Sequence, residues 1–358
     1  MSKFYPLSVA AVKHETRDAI AVTFDVPAEL KTLFAYQQGQ HLTLRAMIDG
    51  EDVRRSYSIC SAVQDDVLRV AIKRTTGGLF STWANEHLAP GATLEVMPPM
   101  GHFNVPLEPG SARHYLAFAA GSGITPILSI VKTTLLAEPN SRFTIVYGNR
   151  ASSSVIFRDE LTDLKDSYMD RLKLVYVMSR EQQDIELFNG RITEEKCGLF
   201  LRHWIDIRDI DVAFICGPED MMHGVSRSLQ QAGLAKEKIR IELFAASIPK
   251  HEHKPRKIEA GAQHLTEVTV IMDGSATSFT MDKDKESLLD AGLRAGIDMR
   301  YSCKGGVCST CRCKVLDGQV EMDVNYALED YEVARGFVLS CQSFPITDKV
   351  VVDFDIAE

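Results

Sequence analysis

The hydrophobic pattern of this 358-residue chain changes its period along its length, and no single fold accommodates all of it. From about Leu7 to Pro106 short apolar runs of strand character recur: LSVAAV, AIAVTFDV, HLTLRAMI, RSYSIC, VLRVAIKR and TLEVM. The turn sequences DGED, TTGG and APGA separate them, which predicts a small antiparallel barrel or sandwich. Its one helical piece is LFSTWANEHL, directly after Gly77 and Gly78. From about Ala112 to Phe244 strands alternate with helical segments: YLAFAA, ITPILSIVKTTLLA, FTIVYG, SVIFRDELTDLK, LKLVYVM, DVAFIC, EDMMHGVSRSLQQAG and IRIEL. That alternation predicts crossover units on a parallel sheet, and the strands are continuously apolar, as burial on both faces requires.

Residues 246–264, ASIPKHEHKPRKIEAGAQH, hold two prolines and many charges without apolar periodicity, and read as a linker. His251 and His253 flank an acid there; a solvated linker explains them better than a metal site. The last segment begins with two strands, TEVTVIMDG and ATSFTMD, and a helical stretch, SLLDAGLRAG. A cysteine loop follows, then CKVLDGQVEM, a helical turn near NYALEDYEVARG, and closing strands FVLSCQ and VVVDFDI. The expected division is therefore 1–108, 109–245, a linker over 246–264, and 265–358. A chain of this length is too long for one ordinary core, and no internal repeat is visible.

Charge separates the last segment from the rest. Residues 265–358 carry 17 acidic and 9 basic residues, a net of −8 out of −9 for the whole chain. An acidic surface argues against nucleic acid and suits solubility or docking to a basic protein partner. No apolar run approaches the roughly 18–20 residues that cross a bilayer. The amino terminus, MSKFYPLSVAAVKHETRD, lacks the basic and apolar regions of a secretory signal. A cytoplasmic location is expected, and there thiols stay reduced, so clustered cysteines point to a metal or cofactor rather than to disulfides.

The stretch YSCKGGVCSTCRC, residues 301–313, holds four of the eight cysteines. Cys303, Cys308 and Cys311 give the spacing Cys-x4-Cys-x2-Cys, and Cys341 follows 30 residues later. This is the plant-type pattern that holds a 2Fe-2S cluster. A loop wrapped around an inorganic core must bring its backbone close to the bridging sulfides; Gly305 and Gly306 supply freedom for that, and Ser302, Ser309 and Thr310 are small. A four-cysteine zinc site usually uses two paired knuckles, whereas only Cys308 and Cys311 have that spacing here. Cys313 is expected to turn to the other face of its strand and pack inside. Cys60, Cys197 and Cys216 are too scattered to form a second site.

RRSYSIC places Arg55, Tyr57 and Ser58 on one strand: a cation for a pyrophosphate, a ring to stack on a flat heterocycle, and a hydroxyl. TTGGLFST sets glycines ahead of a helix amino terminus, where free N–H groups suit a phosphate. AGSGITPILS resembles the glycine-rich turn that cradles a dinucleotide, although it is not the G-x-G-x-x-G fingerprint. FICGPEDMM ends a strand with Cys216, Gly217 and Pro218 before a helix, and such strand ends are where ligands of open α/β sheets bind.

The order barrel, nucleotide domain, linker and cluster domain resembles the ferredoxin-NADP reductase superfamily fused to a plant-type ferredoxin, over essentially the whole chain. GQHLTL, RRSYSIC, AAGSGITP, YGNR, AFICGP, CKGGVC, CKVL, VLSCQ and VVVDFD carry the likeness, within that superfamily, to reductase components of multicomponent oxygenases. The resemblance implies an antiparallel FAD-binding β-barrel, a parallel-sheet α/β nucleotide domain and an α+β ferredoxin domain of β-grasp type. It implies that Arg55 holds the FAD pyrophosphate, that Tyr57 stacks on the isoalloxazine, and that Ser58 bonds near its N5. Gly78, Leu79 and Ser81 complete the pyrophosphate site. Gly121, Gly123, Thr125 and Pro126 line the NAD(P)H pocket, with Cys216, Gly217 and Pro218 near the nicotinamide. Glu242 and Phe244 lie beside the flavin, and Ser58, Cys216 and Glu242 make up the implied catalytic set. Cys303, Cys308, Cys311 and Cys341 are the implied iron ligands.

Ser179 and Arg180 follow LKLVYVM where the ribose end of the cofactor is read. An arginine there accommodates a 2′-phosphate, which favours NADPH; Glu181 next door keeps NADH open. The implied activity is an NAD(P)H-dependent reductase that passes electrons through FAD and a 2Fe-2S cluster to the di-iron oxygenase component of a monooxygenase, with no nucleic-acid or membrane partner. Reductases of other ring or alkyl monooxygenases remain an alternative. From another class, so does a non-catalytic redox sensor or zinc-stabilised binding module.

Overall fold

The computed structural model of the protein describes residues 4–244 and 264–356; the expected linker, with His251 and His253, lies outside the described residues but for His264. The described chain falls into two compact units: one holds residues 264–356 together with Phe4 and Arg54–Ser56, and the other holds the rest of the first two sheets.

The first sheet comprises β1 (Tyr5–Thr16), β2 (Ala19–Asp25), β3 (His41–Ile48), β4 (Glu51–Ser58), β5 (Leu68–Lys73) and β6 (Thr93–Val96), in the order β4-β3-β6-β1-β2-β5. All six strands expected from the sequence are present. An antiparallel bridge between Ile59, just past β4, and Val70 of β5 joins the two ends of that order, so the sheet closes on itself. Alternating residues such as Leu42, Leu44, Val70 and Ile72 fill the interior, as closure requires. The helix α1 (Leu79–His87) follows β5, and Phe80 and Ala84 are its buried face.

The second sheet is wholly parallel: β7 (His114–Ala120), β8 (Arg142–Asn149), β9 (Leu172–Met178), β10 (Val212–Gly217) and β11 (Ile239–Leu243), in the order β11-β10-β7-β8-β9. Its helices are α2 (Ile124–Ala137), α3 (Arg158–Ser167), α4 (Glu194–His203) and α5 (Glu219–Gln231). Two of these differ from the expectation. The segment SVIF is not α-helical: Ser154 closes a short 3-10 turn, Phe157 takes the left-handed conformation at φ 61°, and α3 starts only after it. The helix α4 carries no clear sequence signal; only Cys197 and Phe200 are buried on it, too thin an apolar stripe to stand out. Thr193 caps it by accepting from Lys196 N.

Chain order runs from β7 outward to β9 and then returns to β10 on the other side of β7. The direction of winding therefore reverses between β7 and β10, which opens a crevice at their carboxyl ends. A partly buried ion network spans the two sheets: Arg69 on β5 and Lys132 on α2 both reach Glu160 on α3 at 2.9 Å, and Lys132 reaches Asp65 at 2.7 Å.

The second unit holds β12 (Leu265–Met272), β13 (Ser275–Asp282), α6 (Leu288–Arg294), β14 (Arg312–Asp317), β15 (Val320–Met322), α7 (Asp330–Ala334), β16 (Phe337–Leu339), β17 (Ser343–Pro345) and β18 (Lys349–Asp353). The mixed sheet β13-β12-β18-β14-β16 has a parallel central pair, β12 with β18, and the helix α6 buries Leu288, Leu289 and Ala291 in the same core. This is the β-grasp arrangement. Within CKVLDGQVEM, β14 pairs with β18 and β16 while β15 pairs separately with β17. A side chain at Gly318 would meet the Lys349 carbonyl at 2.1 Å, so the chain turns there against β18. Among the described residues no helix is long and apolar enough to cross a membrane.

Candidate functional site

Four separated segments converge on the crevice beyond β7 and β10. The turn Gly121–Gly123 leaves β7, and a β-carbon on Gly123 would lie 2.1 Å from the Cys216 carbonyl oxygen at the end of β10. Only glycine allows this approach. Cys216 is fully buried and registers with Ala119 of β7 on one side and Glu242 of β11 on the other. Ser58, at the end of β4 in the barrel, donates from Oγ to Glu242 Oε2 at 3.1 Å. The Ser58, Cys216 and Glu242 trio expected from the sequence is thus brought together from both sheets.

The electrostatics of the trio follow from burial. Desolvation pushes the Glu242 carboxyl up to about 8, opposed by the hydrogen bond from Ser58. Burial, with the Glu242 charge second, holds the Cys216 thiol well above its ordinary value, so it is an inert thiol and not a nucleophile. A carboxyl that titrates near neutrality, hydrogen-bonded to a hydroxyl, can hold or release a proton at the strand ends.

Other expected residues sit differently. Thr125 and Pro126 are buried in the first turn of α2, and the Thr125 hydroxyl donates to Ser122 O at 3.0 Å, so they act on the shape of the turn. Gly217 abuts Ala120 and Met221, and Pro218 begins α5. Ser179 and Arg180 follow β9 and are pinned beside the end of β8, Ser179 N donating to Asn149 O and Arg180 N to Arg150 O. Phe244 is half-buried against the core of the parallel sheet. On the barrel, Arg55 is exposed, and the half-buried Tyr57 ring leans on Phe80 with centroids 5.7 Å apart. A β-carbon on Gly78 would lie 2.2 Å from Thr75 Oγ1 and 2.5 Å from Ser81 Oγ, which fixes a tight turn ahead of α1. No side chain caps α1, so its first amides, those of Leu79 onward, stay available to an anion. The Ser81 hydroxyl is buried in that turn, accepting from Thr75 N.

Two cations at the crevice, Lys73 and the Arg150 that closes YGNR, are given no role by the sequence reading. Gly121 takes φ +54°, and a β-carbon on it would meet Lys73 Nζ at 3.1 Å, so the ammonium lies over the glycine turn. Burial first, then the neighbouring Arg150, lowers the Lys73 value. Lys73 ends a barrel strand and Arg150 follows β8, and nothing in their local sequence marks them as neighbours of the turn.

In the second unit Cys303, Cys308, Cys311 and Cys341 associate two by two. The pairing of Cys303 with Cys308 raises the first thiol, with burial adding to it, and lowers the second against the opposing effect of burial; Cys311 is raised first by its pairing with Cys341 and then by burial. Among the described residues no three His, Cys, Asp or Glu side chains surround a single point as the ligands of one ion would. A binuclear cluster divides its four thiolates between two irons, and the two pairs fit that division. The loop's freedom is placed differently from expectation. Gly306 takes φ +76° and has Val324 and Gln342 against it, but the other left-handed positions are Lys304 and Ser309 instead of Gly305. Gly305 N donates to Cys303 Sγ at 3.3 Å, and Ser302, Ser309 and Thr310 are buried. Cys313 is 1 % exposed in the sheet core opposite Val338, and burial drives its thiol far up.

Three family models match the chain: an oxidoreductase FAD-binding domain over residues 6–105, an oxidoreductase NAD-binding domain over 118–227, and a 2Fe-2S iron-sulfur cluster binding domain over 270–345. The chain is 47 % identical over 355 residues to one of the subunits of 1,2-phenylacetyl-CoA epoxidase from Escherichia coli (strain K12), covering 99 % of each. The chain belongs to the ferredoxin-NADP reductase family. This family member is also 36 % identical, over 97 % of its own length and 96 % of the relative's, to the ferredoxin reductase component of 3-ketosteroid-9-alpha-monooxygenase from Rhodococcus rhodochrous. The fold of phthalate dioxygenase reductase matches it with a TM-score of 0.58 at 23 % identity, covering 98 % of each chain. As a member of the family the chain is an NAD(P)H-dependent oxidoreductase with FAD-binding, NAD-binding and 2Fe-2S domains, in an antiparallel barrel, a parallel α/β sheet and a ferredoxin domain respectively. The glycine cradle at Gly123, the uncapped start of α1 and the paired thiols each fit the group that the corresponding domain binds.

Proposed function

We propose that this reductase draws electrons from NADPH in the cytoplasm and supplies them to the di-iron oxygenase that epoxidises the ring of phenylacetyl-CoA. The observation that carries the reading is the 47 % identity to a component of that epoxidase across 99 % of both chains. FAD, when bound, accepts a hydride as a pair of electrons and releases them singly, as an iron-sulfur centre requires. The chain's own residues supply placement. Arg55, with the amides of α1 from Leu79 onward, holds the pyrophosphate; Gly78 and Ser81 keep the turn ahead of it closed; Tyr57 stacks on the flavin ring. Gly121, Gly123, Thr125 and Pro126 shape the crevice for the nicotinamide nucleotide, and Cys216, Gly217 and Pro218 floor it. Ser58 and Glu242 hold a proton beside the reacting ring, and Phe244 shields it. Ser179 and Arg180 read the ribose. Cys303, Cys308, Cys311 and Cys341 hold the cluster.

The same reading divides the chain at 1–108, 109–245, 246–264 and 265–358, and the spans of the three matching models support that division. Reconstitution tests the assignment. With NADPH and phenylacetyl-CoA, the purified reductase is expected to drive epoxide formation by the matching oxygenase component. Supply of electrons to a steroid or alkyl oxygenase and not to that one overturns it.

A further inference from the structure

One acid at the ribose end is out of place for a phosphate site. Glu181 directly follows Ser179 and Arg180, and a carboxylate there would repel the 2′-phosphate that Arg180 is placed to receive. Its two oxygens are both taken by one residue. Ser152 N donates to Glu181 Oε2 at 2.8 Å, and the Ser152 hydroxyl donates to Oε1. Hydrogen bonds to an ionised acceptor are the strong ones. These two, with the hydroxyl first, hold the Glu181 carboxyl below its usual range.

The clamp is itself fixed in place. Ser179 N donates to Asn149 O at 2.9 Å and Arg180 N to Arg150 O at 2.8 Å, which laces segment 179–181 to segment 149–152. Ser154 Oγ accepts from Ala151 N at 3.1 Å and donates to Ala151 O at 2.7 Å, closing the 3-10 turn Ser152–Ser154 that presents the Ser152 amide. Arg150 and Arg180 remain exposed beside it. A released Glu181 would have two effects of opposite use: it would repel a 2′-phosphate, and it would accept from a ribose 2′-hydroxyl, as acids do in NAD-specific sites.

We propose that Ser152 is a specificity-determining positioning residue, which ties back the Glu181 carboxylate so that Arg180 meets the 2′-phosphate without a competing anion. The inference rests on the NADPH reading above.

The test uses the full-length protein loaded with flavin and iron. Calorimetric titration compares 2′,5′-ADP with 5′-ADP, and kcat/KM for NADPH and NADH is read with ferricyanide as acceptor. Wild type is expected to bind 2′,5′-ADP more tightly. Ser152→Ala is expected to lower that preference roughly tenfold, the value of one hydrogen bond to a charged group. Glu181→Gln is expected to raise it, and adding Ser152→Ala to Glu181→Gln should change nothing further. A wild type that binds the two nucleotides equally refutes the NADPH reading and this inference with it. A wild type that favours 2′,5′-ADP while Ser152→Ala keeps the same preference refutes the inference alone. So does an equal loss in the Glu181→Gln background, which would mark Ser152 as merely structural.

Discussion

The nucleotide crevice and the cluster loop are built on opposite plans. The crevice is assembled from residues far apart in the chain: Ser58 and Glu242 are 184 positions apart and lie on different sheets, yet they share a hydrogen bond. The cluster loop draws three of its four thiols from nine consecutive residues and closes with Cys341. A site made of distant parts depends on how two sheets pack, through contacts such as the Arg69, Glu160 and Lys132 network. A site made of one loop depends on local backbone conformation, through Gly306, Lys304 and Ser309. The two should therefore fail independently.

The sharpest way to break the comparison is at Cys341. Replacing it with serine should abolish the cluster and all one-electron delivery while NADPH-dependent reduction of ferricyanide persists; loss of both activities would mean that the sites are not separable. Cys313→Ala is the matched control, since Cys313 lies in the core and should leave the iron content unchanged by metal analysis. Next in size is Gly123→Ala. Its β-carbon would fall 2.1 Å from the Cys216 carbonyl, so the turn or β10 must shift by an ångström or more. A displacement of that order costs about 100-fold in rate, read as kcat/KM for NADPH, with the cluster's visible spectrum unchanged.

Ser58→Ala and Glu242→Gln should each lower the rate of flavin reduction in rapid mixing by roughly tenfold, the value of one hydrogen bond. A further expected effect is on stability. The Glu242 carboxyl is raised from its ordinary value to about 8, so the folded protein holds the proton more tightly than the unfolded chain. The stabilisation is complete below about 4.5 and is lost as pH rises through about 8. Thermal unfolding across that window should show wild type losing ground to Glu242→Gln, and parallel curves would contradict the assignment.

The same contrast explains what the sequence revealed. The cysteine spacing and the six barrel strands are local patterns and could be read directly. The position of the loop's left-handed residues could not, because Lys304 and Ser309 carry no glycine signal and are held at positive φ by the loop around them. The helix α4 was hidden because its buried face is two residues wide. Lys73 and Arg150 belong to the crevice only once β5 and β8 are packed, and the pairing of β15 with β17 joins residues more than twenty positions apart. Thr125 and Pro126 were visible in the motif, but that their side chains face the protein and not the crevice is decided by the tight approach of Gly123 to β10.

The central claim is that electrons enter at the crevice and leave through the loop, in series. Anaerobic rapid mixing of the loaded protein with NADPH, followed at the separate absorption bands of flavin and cluster, tests it most directly. In wild type the flavin band is expected to bleach first and the cluster band to follow, and in Gly123→Ala both should slow together. Cluster reduction that keeps its wild-type rate in Gly123→Ala would contradict the claim.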